Sequence, residues 1–199
     1  MSLKIQTAPA IEPVTLNEAK VNLRIDTSPA TAHPDDSLIT SHIKTSRRWC
    51  EGFQNRAYIT QTWDLYLDAF PNKDSIEIPL PPLQSVTYLK YKDSAGDLQT
   101  WDSSNYIVDI NSEPGRIVLA YGKSWPMTYD EIQAVQIRFV AGYGDSAIDV
   151  PEEIKTAIYL KVTDLYENRG DGDMCSEQGE NSYDRAVKSL LWPDRIIPI

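Results

Sequence analysis

The chain has 199 residues, of which 41% are apolar and 24% charged, with two cysteines and a net charge of −10. That length supports one core, or a core with a smaller lobe, and the composition excludes a largely disordered polymer. The opening MSLKIQTAPA lacks the apolar centre of a signal peptide, and no run approaches the ~18 residues that span a bilayer, so the sequence reads as soluble and intracellular with no membrane partner.

The charge is unevenly placed: residues 1–60 carry +1, residues 61–150 carry −7 and residues 151–199 carry −4. This disfavours binding to duplex DNA, whose affinity comes from clustered Lys and Arg releasing counterions. The one basic cluster, Arg47 and Arg48 with Lys44 nearby, reads as a solvated helix face. Cys50 and Cys175 are too few, and too different in setting, for a disulfide framework.

In chain order, Pro9 and Pro13 keep residues 1–14 extended. Thr15-Leu16-Asn17-Glu18 is a capping-box pattern opening a short helix to about Leu23, with Leu16, Ala19, Val21 and Leu23 as its apolar residues. TSPATAHP at 27–34 is a loop. A long helix follows over about 36–55, capped by Asp35 or Asp36, with Leu38, Ile39, Ile43, Trp49, Cys50 and Phe53 on its apolar stripe. From Tyr58 to Phe70 the period changes to that of a strand, placing Trp63, Leu65, Leu67 and Ala69 on one face and Thr62, Asp64, Tyr66 and Asp68 on the other.

Short strands follow at about 75–79, 86–92, 98–101, 105–110, 116–121 and 134–140, separated by turn sequences such as DSAGD and NSEPG. Pro151 to about Arg169 forms a second long helix, with Ile154, Ala157, Ile158, Lys161, Val162, Leu165 and Tyr166 on one stripe, and is the natural partner of the helix at 36–55. The acidic loop at 170–182 precedes a last helix from Tyr183 to Leu191. The fold class is therefore α+β: a small helical module of residues 1–56 and 146–199, with an inserted antiparallel β-rich subdomain at 57–145.

Catalytic chemistry finds little support. There is no GxSxG, GxxxxGK[ST], GxGxxG or HExxH pattern. Cys50 and His42 lie eight residues apart on one helix, roughly 12 Å along its axis, too far for a dyad. Asp171, Asp173, Glu177 and Glu180 begin like a calcium loop, but Cys175, Ser176 and Ser182 stand where a ligand, the glycine and the closing glutamate are needed. No metal, cofactor or catalytic residue is assigned. Trp63 and Tyr66 could form part of a sugar-binding face, or pack a small sheet. The tail is less ordinary: Ile196, Ile197 and Ile199 are apolar, and Pro193 and Pro198 keep them out of helices and central strands. Such a segment either folds back on its own core or docks on a partner chain.

Several segments in order, PAIEPVTLNEAKVNLRID (9–26), AYITQTWDLYLDAFP (57–71), IPLPPLQSVTYLKYKDSAGD (78–97), VQIRFVAGYGD (135–145), VPEEIKTAIYLKVTDLYENR (150–169) and AVKSLLWPDRI (186–196), resemble the head-to-tail connector, or adaptor, proteins of tailed bacteriophages. The resemblance implies a structural virion protein, not an enzyme. It implies a homo-oligomeric ring, twelvefold to match the portal, that joins the portal protein to a stopper or tail-completion protein. DNA is then only non-specific cargo of the central channel, and the ring, assembled in the bacterial cytoplasm, sits at the head-to-tail interface of the virion. Trp192, Arg195, Ile196, Ile197 and Ile199 are its candidate partner-docking residues. The alternative is a monomeric module whose aromatic β-domain binds carbohydrate or a host surface.

Overall fold

The computed structural model describes residues 1–25, 32–169 and 182–197. The fold is α+β, and its contacts divide it into a β unit (residues 1–10 and 56–145) and a helical unit (residues 11–55 and 146–199).

The β unit holds two antiparallel sheets. One has five strands in the order β1 (Ser2–Thr7), β2 (Gln61–Leu67), β8 (Val135–Ala141), β4 (Leu83–Lys92) and β5 (Leu98–Thr100). The other has three, β3 (Ser75–Ile78), β7 (Gly115–Leu119) and β6 (Tyr106–Asp109). Residues 1–10, grouped with the helices in the sequence reading, belong to this unit because β1 pairs with β2, Ser2 opposite Tyr66 and Leu3 opposite Leu65. All six β1 side chains are exposed, so the strand is held by its pairing with β2 and not by buried side chains.

The register of β2 on β8 sets Trp63 against Phe139 and Leu65 against Ile137. These join Leu89 and Val135, and Ile76, Ile78 and Ile117 of the smaller sheet, in one apolar cluster. Phe70, Tyr91, Trp101, Tyr106 and Trp125 pack against it, with Phe70 stacked on Trp125 (4.9 Å, 8°) and Trp101 on Tyr106 (5.5 Å). Just beyond β8, Gly142 adopts φ 136°, and a Cβ there would lie 2.7 Å from the Ile59 backbone. Only glycine lets the chain turn so close to residues 58–60, whose backbone bonds with Tyr143 and Gly144 complete the return.

Asp64 lies on the face of β2 that alternation gives it, beside Tyr66, Gln136 and Arg138, yet it is buried. The Arg138 guanidinium donates to both its oxygens (2.7 and 2.8 Å) and Gln136 Nε2 donates at 3.0 Å. Burial alone would raise the Asp64 pKa, but the bonds from Arg138 and Gln136 outweigh it and hold the carboxyl below its ordinary value.

In the helical unit, α1 (Leu16–Asn22) begins with the expected capping box: Thr15 Oγ1 accepts from Glu18 N at 3.2 Å and Glu18 Oε2 accepts from Thr15 N at 2.7 Å. Val21, expected to pack, is exposed. The long helices α2 (Asp36–Gln54) and α3 (Glu152–Glu167) pack on one another, and α3 also packs on α4 (Ser182–Leu191). Ile39, Ile43, Cys50, Ile154, Ala157, Ile158, Val162, Val187 and Leu191 are buried there.

The structure corrects two charged positions of the helical reading, Arg47 and Asp35, and explains a third, Lys161. Arg47 is buried rather than solvated, because Glu12 (2.7 Å) and Glu51 hold its guanidinium. Lys161 sits on the apolar stripe of α3 because Asp164 (3.1 Å) and Asp184 of α4 (2.8 Å) neutralise it. Asp35 makes no side-chain cap; its carboxylate instead accepts from the Tyr166 hydroxyl (2.8 Å) and from Arg169 (2.9 Å). The buried charges of Arg47 and Lys161 survive because each is paired and hydrogen-bonded.

Candidate docking site at the C-terminal end

The described part of the tail is seated on the end of α2. That helix finishes at Asn55, which takes the left-handed conformation (φ 54°, ψ 44°) common at helix ends. Its last carbonyls and side chains then become the seat. Gln54 Nε2 donates to Leu191 O (2.8 Å), Ile196 N donates to Gln54 O (2.9 Å) and Asn55 Nδ2 donates to Ile196 O (2.7 Å). The stop after α4 is a tight turn in which Arg195 N donates to Trp192 O (3.2 Å).

A row of rings and cations lies over this turn. Trp49 and Phe53, four residues apart on α2, stack nearly parallel (5.5 Å, 2°), and Trp192 lies 6.5 Å from Phe53. The Arg195 guanidinium sits 4.6 Å from the Phe53 ring and 5.4 Å from Trp192, while the Lys161 ammonium is 5.3 Å from Trp49. Each cation–ring contact contributes about 0.5–1 kcal/mol. The arrangement leaves apolar surface unused: Trp192 is 60% and Ile197 69% exposed. Arg195 Nε is buried and has no acceptor among the described residues.

Of the five tail residues singled out from sequence, the structure therefore gathers Trp192, Arg195 and Ile196 around α2 and leaves Ile197 outward, while Ile199 lies outside the described residues. Sequence reasoning missed the seat itself. Trp49 and Phe53 were assigned to the core, although two aromatics at i, i+4 next to a helix end could equally have marked a platform.

The other candidates do not assemble a reactive centre. Cys50 is buried and its thiol is pushed up to about 12, which suppresses the thiolate. His42 is half-buried, and burial together with the nearby Arg169 charge lowers its pKa. Among the described residues no group of His, Cys, Asp and Glu is placed to hold a metal ion; the acidic run at 171–180 lies outside them. No helix among the described residues is long and apolar enough to cross a membrane. Trp63 packs on the β core, and the aromatic cluster spends its ring faces on itself.

No family model matches the chain, and no curated protein matches it. Solved structures do. A chain of the virion of native gene transfer agent particle is 25% identical with a TM-score of 0.78, and a chain of the neck of the empty particle computed with C6 symmetry is 25% identical with a TM-score of 0.81. A third, from the neck of the native particle computed with C12 symmetry, shows the same fold at 24% identity and a TM-score of 0.73. Each match covers 100% of this chain and 97% of the other. The chain is thus similar along its whole length to neck components of a phage-like particle, consistent with the head-to-tail connector family that its sequence resembles.

Proposed function

We propose that this chain is a structural neck protein, a head-to-tail connector that assembles into a homo-oligomeric ring beneath the portal and carries the DNA channel through its centre. The observation that supports this most is the full-length similarity to chains of a particle neck computed with C6 symmetry. A connector needs no chemistry, and the buried, deactivated Cys50 fits that role. The charge of −10 also fits, because an acidic channel wall repels phosphates and lets DNA slide without sticking.

In this reading the tail from Trp192 onward docks on the portal. Exposed Trp192 and Ile197 supply apolar contact there. The measurement is the native mass of the particle in solution with and without portal. Large oligomers in the presence of portal are expected, and a chain that stays monomeric and fails to bind portal would rule the function out. Trp192→Ser/Ile197→Ser should lose portal binding while keeping its fold by circular dichroism; unchanged binding would remove the tail from the interface.

A further inference from the structure

We propose that the segment between β7 and β8, residues 121–133, is the contact by which one copy of this chain binds the next copy in the ring. The inference rests on the ring reading above. The segment contains no helix or strand, yet it carries the three most exposed large apolar side chains of the β unit: Tyr121 at 104%, Met127 at 84% and Ile132 at 78%.

Floppiness does not explain the exposure, because the backbone is pinned along its length. Trp125 stacks on Phe70 at 4.9 Å, lies 5.1 Å from Trp101 and donates its Nε1 proton to Lys73 O at 2.8 Å. Tyr129 N donates to Lys92 O (3.0 Å) and Gln133 N donates to Asp68 Oδ1 (3.0 Å). Glu131 pairs with the Lys92 ammonium. A segment ordered in this way displays its side chains at little entropic cost on binding. Leu98, directly across from Lys92 on β5, is exposed beside it.

The charge and area select the occupant. The segment holds one base, Lys123, against Asp130 and Glu131, so a phosphate backbone is not its partner. A standard interface covers roughly 800 Å² per partner, to which the exposed Tyr121, Met127 and Ile132 contribute apolar area. A cyclic ring is built from head-to-tail contacts, in which every copy buries one surface against its neighbour's different surface. A second copy is therefore the partner that a ring component cannot do without, and this segment holds the three most exposed large apolar side chains of the β unit.

The test uses the full chain together with portal. Tyr121→Ser/Met127→Ser/Ile132→Ser, confirmed as folded by circular dichroism, should require more than about tenfold higher concentration than the unaltered chain to form rings in native mass measurements. A photo-cross-linking residue in place of Met127 should give, in assembled particles, a product of twice the chain's mass. Rings formed normally by the triple variant, a cross-link to portal instead, or no cross-link within assembled rings would each overturn the proposal while leaving the connector function standing. Failure of the unaltered chain to assemble with portal would overturn both.

Discussion

The two units solve the same problem with different materials. The β unit satisfies its backbone through sheet ladders and fills its interior with Leu65, Leu89, Ile137, Phe139, Ile76, Ile78 and Ile117, with Asp64 the one buried carboxylate. The helical unit has a smaller aliphatic core and threads charges through it: Arg47 with Glu12 and Glu51, Lys20 with Asp36, and Lys161 with Asp164 and Asp184. Every pair except Arg47–Glu51 and Lys161–Asp164 joins separate segments of the chain. Apolar burial is non-directional and rewards any close packing, whereas a buried pair tolerates only one alignment. The helical unit is thus held by fewer contacts that are more particular about geometry.

The sharpest way to break this contrast is in the β core. Phe139→Ala removes a ring that is completely buried, and unfolding in denaturant should show a loss of about 3–5 kcal/mol. A loss below about 1 kcal/mol would mean that the sheets do not depend on that core. Lys161→Met probes the other unit by removing the ammonium that neutralises the fully buried Asp164 carboxylate. A loss of about 3 kcal/mol is expected by the same measurement; a neutral result would show that shape, and not charge pairing, aligns α3 with α4.

The smallest expected effect concerns the exception in the β unit. Because the folded-state pKa of Asp64 lies below the ordinary 3.8, its contribution is present above that value and is lost as pH falls through the folded value. Asp64→Asn should cost about 2 kcal/mol at neutral pH. It should also flatten the decline in stability below pH 3.8 seen in acid titrations of the unaltered chain. An unchanged acid slope would remove the Asp64–Arg138 pair from the account.

Much of this was legible in the residues. The change of hydrophobic period between Phe53 and Tyr58 marked the passage from helix to sheet, which the contacts put at Asn55 and Arg56. The Thr15–Glu18 capping box, both long helices and the strand spacing followed from local rules of capping, period and turn chemistry. The docking site was half legible: Trp192 and the isoleucines declared themselves by being apolar in a proline-bounded tail. Their seat on Gln54 and Asn55 did not, because it depends on residues 137 and 141 positions apart in sequence. The exposed segment at 121–133 was equally silent, since nothing in its local pattern shows that Tyr121, Met127 and Ile132 stay outside the core.

By itself, then, the sequence determined what local physical chemistry can specify: where helices and strands begin and end, which faces are apolar, and that no reactive constellation is written into one stretch. Only the tertiary structure decided which charges are buried, that β1 closes the edge of the larger sheet, and which apolar side chains remain uncovered. The reason is that burial and pairing depend on the partner brought from a distance. A helical period can place Arg47 or Lys161 on a face, but whether that face meets water or a carboxylate is settled only when another segment arrives.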